Sequence, residues 1–358
     1  MTAIEQPTGA ETVWMDCPVT EAIEGRTDQV MALGYTRPHA RFLLLVVGHA
    51  NGLFLSRQFL RLIDRRRGGA MTSFLTRLRV RGHVMEYPHR GLGRLYHVNH
   101  PAVIRAAGLP ADRVWRLPDP VTIGERLLAL DYLVDHANGQ AVYADRATWK
   151  VALLKERWGM QDGWPTRIGR LSSTRGIAYP FPDRWPVGVG GDGVLELVYG
   201  TVLPTATAET FRAFLLRHVH LLTRIVPARI VYLYPAAHDP RAAVQRFEEV
   251  QVDPDGTLAA TVRDLVDYAD LARRLLVPGA ARPGPADLER FAELQQRFGD
   301  GRYDGVIAAC RESRVAALRA LRQVDDRPLC APLVRVRLDL VPCAQDYFVT
   351  ESRGLTDR

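Results

Sequence analysis

The pattern of apolar positions predicts two short helices after an acidic, aperiodic N-terminal segment. The apolar run Phe42–Val47 lies inside a predicted first helix, Arg37–His49, which ends where Asn51 and Gly52 tolerate positive φ. Ser56 is a suitable N-cap for a second helix, because its hydroxyl can accept a hydrogen bond from the first turn. Residues 1–34 show no comparable periodicity and are predicted to form a mobile acidic arm.

A third helix and a β-hairpin complete the predicted N-terminal domain, residues 35–108. In the helix, Ala70 to Arg81, apolar residues recur at i, i+3, i+4 and i+7 and therefore share one face. These residues are Met71, Phe74, Leu75 and Leu78. Gly82 ends the helix, and two strands, His83–Tyr87 and Arg94–Val98, flank a glycine-bearing turn. Three helices followed by a hairpin predict a winged helix-turn-helix.

Strand and helix patterns alternate over the next predicted domain, residues 120–240. Thr122 and Glu125 have the spacing of a capping box at the start of a helix. A polar loop is predicted from Trp158 through Thr174, and the alternation that follows indicates a small mixed α/β sheet domain. Its predicted elements include strands at Ile177–Tyr179, Val187–Val189, Val194–Tyr199 and Arg229–Tyr234 and a helix at Thr207–Val226.

Residues 241–358 are predicted to be a mainly helical C-terminal region. Its one late strand, Val334–Leu340, is indicated by alternation of apolar and charged residues. The fold class predicted for the whole chain is α+β.

Positive charge is concentrated in the predicted N-terminal domain. Between Arg37 and Arg94 there are twelve arginines and no lysine, against only Asp64 and Glu86, whereas the net charge of the whole chain is +7. A local excess of this sign attracts polyanions, and counterion release is then a source of affinity for nucleic acid. The alternative interpretation is a small helical interaction module whose arginines are solvated.

The polar side of the third helix carries groups that can read DNA. The major groove admits a helix, where Arg pairs with guanine and the hydroxyls of Ser and Thr bond several base edges. The predicted DNA contacts are Thr72, Ser73, Thr76, Arg77 and Arg79 on this helix, Arg57 and Arg61 on the DNA backbone, and Arg90 and Arg94 in the wing. Double-stranded DNA is the predicted partner, and a homodimer is left open.

Several classes of protein are not supported by the sequence. The four cysteines form no Cys-x-x-Cys pair, so neither a zinc knuckle nor a disulfide framework is predicted. No apolar run is long enough for a signal peptide or a membrane span, so we expect a cytoplasmic protein. Walker, Gly-x-Ser-x-Gly, HExxH and dinucleotide motifs do not occur, and no cofactor or metal is predicted.

One pair of acids keeps an enzymatic alternative open. Nucleases of the PD-(D/E)-x-K kind hold a divalent metal between an Asp at the end of one strand and an acid on the next, while the Lys assists the attacking water. Asp183, after Pro182, and Glu196 match the two acids, but Val198 stands at the lysine position. The water-activating arrangement is therefore incomplete, which favours an inactive relative of that fold or a coincidence over an active nuclease.

A second pattern resembles the metal site of nicking enzymes. His218 and His220 match a His-hydrophobe-His pair, which requires both imidazoles on one face of a strand. In the predicted helix Thr207–Val226 the two residues are instead about 200° apart. The helical interpretation therefore predicts ordinary histidines here.

The order of these features resembles the replication-relaxation family. The resemblance covers about residues 35–235 and rests on the leucine-rich first helix, the boundary Arg81–His83, the hairpin end Arg94–Val98, and Pro182-Asp183 with Glu196 in a degenerate sheet domain. It implies a winged-helix protein of a bacterial plasmid or integrative element, linked to plasmid replication, to DNA relaxation or transfer, or to their regulation. Family members tend to carry a second acid after Glu196, where this chain has Val198.

The leading hypothesis is a DNA-binding protein without enzymatic activity. The alternatives are a metal-dependent nuclease or nicking enzyme, and a transcriptional regulator whose basic module docks on an acidic protein.

Overall fold

The computed structural model describes residues 19–64, 69–89, 92–109, 116–136, 142–144, 147–171, 175–181, 185–203, 207–276, 284–325, 331–343 and 347. Within these ranges the chain is a mixed α+β protein. It divides into two compact units. The first contains Met1–Thr207, His220–Pro240 and Val336–Arg358, and the second contains Ala208–Val219 and Arg241–Arg335.

A helix occupies much of the segment that the sequence predicts to be a mobile arm. This helix, α1 (Val19–Ala32), buries Val30 completely and holds the Arg26 guanidinium 4.4 Å from the centroid of the Trp149 ring. The prediction of an arm is therefore wrong for residues 19–32, because contacts with residues far along the chain stabilise a helix that has little periodicity of its own. Residues 1–18 lie outside the described residues.

The predicted succession of three helices and a hairpin is confirmed. The elements are α2 (Arg37–His49), β1 (Leu53–Phe54), α3 (Ser56–Leu62), α4 (Gly69–Val80), β2 (Val84–His89) and β3 (Gly93–Val98), followed by a short helix, α5 (Pro101–Ala106). The strands form an antiparallel sheet in the order β1-β3-β2. Strand β1 is absent from the sequence-based prediction, since two residues are too few for a periodic pattern.

Two glycines fix the turns that bound these helices. Gly52 has φ +81°, and a Cβ atom there would lie 2.2 Å from the carbonyl oxygen of Val98, so only glycine allows β1 to approach β3. Gly82 has φ +65° and ends α4, where the His83 N–H donates to the Leu78 carbonyl. Both positions match the helix ends predicted from the sequence.

The small sheet has an apolar layer on each side. On one side an aromatic cluster joins the three helices to the sheet, with Phe42, Phe54, Phe59, Phe74 and Tyr96 in contact. On the other side Leu53, Leu55 and Leu95 pack with Leu127 and Leu128 of the next helix. The N-terminal elements are thus continuous with the rest of the first unit.

The rest of the first unit is built on a five-stranded mixed sheet. Its strands lie in the order β10 (Val336–Cys343), β9 (Ala228–Pro235), β8 (Leu195–Gly200), β7 (Val187–Val189) and β4 (Val142–Ala144). Strands β8, β9 and β10 are parallel, whereas β7 and β4 are antiparallel to their neighbours. The elements are α6 (Pro120–His136), β4 (Val142–Ala144), α7 (Ala147–Trp158), β5 (Thr166–Leu171), β6 (Arg175–Pro180), β7 (Val187–Val189), β8 (Leu195–Gly200), α8 (Thr207–Arg224), β9 (Ala228–Pro235) and β10 (Val336–Cys343). Of helix α8, Ala208–Val219 belongs to the second unit, whereas Thr207 and residues 220–224 belong to the first.

Two predictions in this region are wrong in detail. Thr122 does not open its helix: α6 begins at Pro120, and Asp119 accepts hydrogen bonds from both the backbone N–H and the hydroxyl of Thr122. Proline suits the first turn, so Asp119-Pro120 is the stronger start signal. The predicted polar loop contains strand β5, which pairs with β6 in a separate two-stranded sheet.

The second unit is helical. Its elements are part of α8 together with α9 (Arg241–Val252), α10 (Thr257–Leu276), α11 (Pro285–Phe298), α12 (Asp304–Cys310), α13 (Arg314–Val324) and α14 (Ala331–Val334), around a core that includes Leu258, Leu265, Leu294, Phe298 and Leu318. The predicted late strand exists as β10, but it pairs with β9 and belongs to the first unit, not to the helical region. Among the described helices, none is both long and apolar enough to cross a bilayer.

Candidate nucleic-acid interface

Helix α4 presents a polar stripe to solvent. Thr72, Ser73, Thr76 and Arg79 are exposed, and Thr72, Thr76 and Arg79 follow the i, i+4, i+7 spacing of one helix face. The predicted inner face, Met71, Phe74, Leu75 and Leu78, is buried. The division of this helix into an apolar and a polar side is therefore confirmed, and three of its five predicted contact residues share one face, with Ser73 exposed about 100° from Thr72 around the helix.

Arg77, the fifth predicted residue of α4, lies outside this stripe. Its Nη1 donates to the carbonyl oxygen of Gly34 at 3.1 Å, and it is two residues, about 200°, from Arg79 around the helix. Next to it, the Arg81 guanidinium lies 5.5 Å from the centroid of the Tyr35 ring. These two arginines tie α4 to the segment before α2.

Glu86 joins the polar stripe of α4 to the hairpin. Its two carboxylate oxygens accept hydrogen bonds from Arg79 Nε on α4 and from Arg94 Nη1, at 3.0 Å, on β3. The hydrogen bond from Arg79 is the main reason why the pKa of Glu86 lies below its usual value. These hydrogen bonds to Glu86 are not predicted from the sequence. The hairpin register could have revealed one of them, since Pro88 lies opposite Arg94 and Glu86 shares a face with Pro88.

The two arginines predicted to contact the DNA backbone from α3 are held by acids of α6. Arg57 Nη2 lies 3.5 Å from Asp131, and Arg57 also donates to the hydroxyl of Tyr347. Arg61 pairs with both Asp131, at 3.1 Å, and Asp135. Because the Asp131 side chain is only 7% exposed, these pairs are better explained as internal neutralisation than as DNA contacts.

The field of the basic region is therefore weaker than the count of arginines indicates. Acids from outside the basic segment compensate part of it: Asp28 faces Arg37, and Asp131 and Asp135 face Arg57 and Arg61. The stripe on α4 and the hairpin beside it are among the parts of this segment that remain accessible. Arg90, predicted for the wing, lies outside the described residues.

Glu196, the weak catalytic candidate on β8, is enclosed by donors. It is 2% exposed, and it accepts hydrogen bonds from Arg229 Nη1 at 2.9 Å and from the hydroxyls of Tyr132 at 3.1 Å and Tyr143 at 2.6 Å. Burial raises the pKa of both tyrosines, which keeps them protonated as donors. A metal ion would have to displace the guanidinium to reach this carboxylate.

The remaining metal candidates do not come together in the described structure. His218 and His220 lie on helix α8 as predicted: His218 is buried, with its Nδ1 2.9 Å from the Phe214 carbonyl, whereas His220 is exposed. Within the described ranges, no group of three or more His, Cys, Asp or Glu side chains is placed to hold a metal ion. Asp183, the other half of the predicted acid pair, lies outside those ranges.

Comparison with known proteins gives no relative on which an assignment could rest. No family model, no curated protein and no solved structure matches the chain.

Proposed function

We propose that residues 37–98 form a winged helix-turn-helix that binds double-stranded DNA. The observation that carries the proposal is the order α2-β1-α3-α4-β2-β3, with sheet order β1-β3-β2 and a polar stripe on the third helix. In this arrangement the third helix reads the major groove and the hairpin between the last two strands is the wing.

The chemistry of the stripe supports recognition of base edges. The hydroxyls of Thr72, Ser73 and Thr76 can donate or accept, and Arg79 can pair with guanine through two parallel hydrogen bonds. The hydroxyl groups tolerate several bases, whereas the guanidinium group selects guanine. Helix α4 thus carries the groups that a reading helix needs on its accessible side.

Glu86 competes with DNA for two arginines of the proposed interface. In the free protein its carboxylate holds Arg79 and Arg94, and approaching phosphates or bases must take over these two guanidinium groups. The carboxylate itself repels the phosphates. Binding therefore exchanges two internal ion pairs for intermolecular ones, which lowers the non-specific affinity for DNA.

The cellular role follows from the resemblance to the replication-relaxation family. That resemblance supports a cytoplasmic protein of a bacterial mobile element, acting in plasmid replication, in DNA relaxation or transfer, or in their regulation. The enclosure of Glu196 by Arg229 and two tyrosines favours DNA binding without cleavage over the nuclease alternative.

The proposal is tested by fluorescence anisotropy of the full chain with labelled duplex DNA over a salt series. Arg79→Ala is expected to weaken binding by about 5- to 150-fold, the equivalent of about 1 to 3 kcal/mol for one base contact. Glu86→Gln is expected to strengthen binding by roughly two- to tenfold at low salt, because it removes the competing charge.

The matched control is Arg319→Ala, which removes the same charge from an exposed position of α13 in the second unit. It is expected to leave affinity unchanged. If Arg79→Ala and Arg319→Ala weaken DNA binding equally, the affinity depends only on net charge, and the assignment of α4 as the DNA-reading helix is contradicted. If the wild-type chain does not bind duplex DNA even at low salt, the regulator that docks on an acidic protein takes its place.

A further inference from the structure

Helix α4 carries an apolar side chain on its exposed side. Val80, the last residue of the helix, is 80% exposed, so the fold leaves most of its surface open to solvent. At about 100° per residue, Val80 lies about 40° from Thr76 and about 20° from Ser73 around the helix axis. Both of these neighbours are exposed as well. Val80 is therefore part of the accessible side of α4, not of its buried side.

Val80 extends a row of three branched side chains. Thr72, Thr76 and Val80 follow one another at i, i+4 and i+8, all three are exposed, and each carries at least one methyl group. The row is about 12 Å long at the helical rise of about 1.5 Å per residue, and it drifts by about 80° around the helix over that length. At about 3.4 Å per base pair it spans roughly three and a half base pairs of a duplex.

Helix stability does not account for this row. Valine and threonine are branched at Cβ and lose rotamer freedom in a helix, so their helix propensity is lower than that of Ala, Gln, Glu, Lys or Arg. At exposed positions no packing offsets this loss, and the last turn of a helix favours a basic residue. A single exposed apolar side chain is ordinary on a protein surface. Three branched side chains on successive turns of one exposed side indicate that surface chemistry, not folding, determines the row.

The groups around the row favour DNA over a protein as its partner. Apolar surfaces that bind proteins usually cover several hundred Å². Val80 instead lies among polar groups: the hydroxyls of Ser73 and Thr76 flank it, and Arg79 lies about 60° beyond Thr76. The major groove presents a matching mixture, because thymine offers its C5 methyl group beside the O4 acceptor and purines offer the N7 acceptor.

We propose that Val80 reads thymine in the major groove, by packing its methyl groups against the C5 methyl group of the base. The methyl groups of Thr76 and Thr72 lie over the neighbouring base pairs. The inference rests on the proposed function and adds a class of base to it: the preferred duplex contains thymine within about four base pairs of the guanine that Arg79 pairs with. Contact between the two apolar groups excludes water and discriminates thymine from cytosine, which has no C5 methyl group.

The first step of the test separates this inference from the proposed function. The full chain selects duplexes from a pool with a random central segment, and a failure to enrich any sequence would contradict both. In an enriched duplex, each thymine is then replaced in turn by deoxyuridine, which removes only the C5 methyl group. Fluorescence anisotropy is expected to show about fourfold weaker binding at one thymine or more, the equivalent of about 0.8 kcal/mol for one buried carbon. Enrichment without any sensitive thymine would overturn the inference and leave the proposed function in place.

Val80→Ala tests whether Val80 causes this sensitivity. The substitution removes the methyl groups and raises the helix propensity, so α4 is expected to remain folded. We expect the variant to bind the thymine duplex about fourfold more weakly than wild type and to distinguish thymine from deoxyuridine by less than about twofold. Val266→Ala makes the same change at an exposed position of α10 in the second unit, and this matched control is expected to keep the wild-type preference. If Val80→Ala loses as much affinity as wild type when the thymine methyl is removed, another residue reads it and the assignment of Val80 is wrong.

Discussion

Gln58 is a fully buried polar side chain at the junction of α3 and α6. Its Oε1 accepts from the Leu55 N–H at 2.8 Å, and its Nε2 donates to the Leu127 carbonyl and to Asp131 Oδ1, both at 3.0 Å. The amide thus connects the start of one helix to the middle of another. Its value for stability lies in satisfying groups that have no access to water.

Replacing this amide with an apolar side chain of similar size tests that role. Gln58→Leu leaves the Leu55 N–H and one Asp131 oxygen without this partner, and we expect the free energy of unfolding to fall by about 1 to 3 kcal/mol. Urea denaturation measures the loss as a shift of the midpoint at constant slope. Ser56→Ala, on the same helix, is the control: Ser56 is the N-cap predicted from the sequence, but Leu55 occupies that position and Ser56 is the first residue of α3, so this change is expected to alter stability by less than about 0.5 kcal/mol. If Gln58→Leu is as stable as wild type, the network does not stabilise the fold.

At the scale of single residues, some features of the site can be predicted from the sequence and others cannot. The exposure of Thr72, Ser73, Thr76 and Arg79 is predictable, because helical periodicity alone determines which side of α4 is polar. The pairing of Arg57 and Arg61 with Asp131 and Asp135 is not predictable, because those acids are about 70 residues away and only the packing of α3 on α6 brings them together.

At the scale of elements, the start of α6 depends on Asp119. Its carboxylate bonds the Thr122 N–H at 3.0 Å, and this hydrogen bond is the main reason why the pKa of Asp119 is lowered. Asp119→Ala is expected to lower the free energy of unfolding by about 0.5 to 2 kcal/mol at neutral pH, whereas Asp119→Asn, which keeps an acceptor but loses the charge, is expected to lower it by a smaller amount.

The effect of this cap should depend on pH in one direction. Because the folded-state pKa is depressed, the contribution of the charged carboxylate is present above the unfolded-state pKa of about 4 and is lost as pH falls through the lower folded-state value. Urea denaturation at several pH values measures it. The difference between wild type and Asp119→Ala should shrink below about pH 4. A difference that stays constant into acid would mean that the charge does not act at this helix end.

Elements with long, regular apolar patterns can be predicted from the sequence, whereas elements that are short or lack such a pattern cannot. Helices α2 and α4 are recognisable because four or more apolar residues repeat at the helical period and a glycine ends each helix. Strands β1 and β5 are missed because one has two residues and the other carries arginines and a glycine. Helix α1 is missed because its apolar residues form no continuous stripe and its burial comes from tertiary contacts.

At the scale of the whole molecule, the first unit is discontinuous in sequence. Strand β10 pairs with β9 in parallel over eight residues, from Val336 opposite Ala228 to Cys343 opposite Pro235. Tyr347 then packs with the apolar layer around Leu127 and donates a hydrogen bond to Asp131. The chain therefore returns to its first unit after forming the second.

This topology predicts which unit a C-terminal truncation damages. A chain ending at Arg335 loses β10 and Tyr347, so the backbone groups of β9 that bond to β10 lose their partners and one side of the apolar layer opens. We expect faster hydrogen–deuterium exchange in β8 and β9, measured by mass spectrometry, with little change in α10 and α11, because the core of the helical unit lies within residues 252–321. The contrary result, increased exchange in α10 and α11 with β8 and β9 still protected, would mean that the last strand serves the helical region next to it in sequence. The two outcomes show whether β10 stabilises the unit next to it in sequence or the sheet with which it pairs. We expect the sheet, because hydrogen bonding across eight residues is the stronger physical constraint.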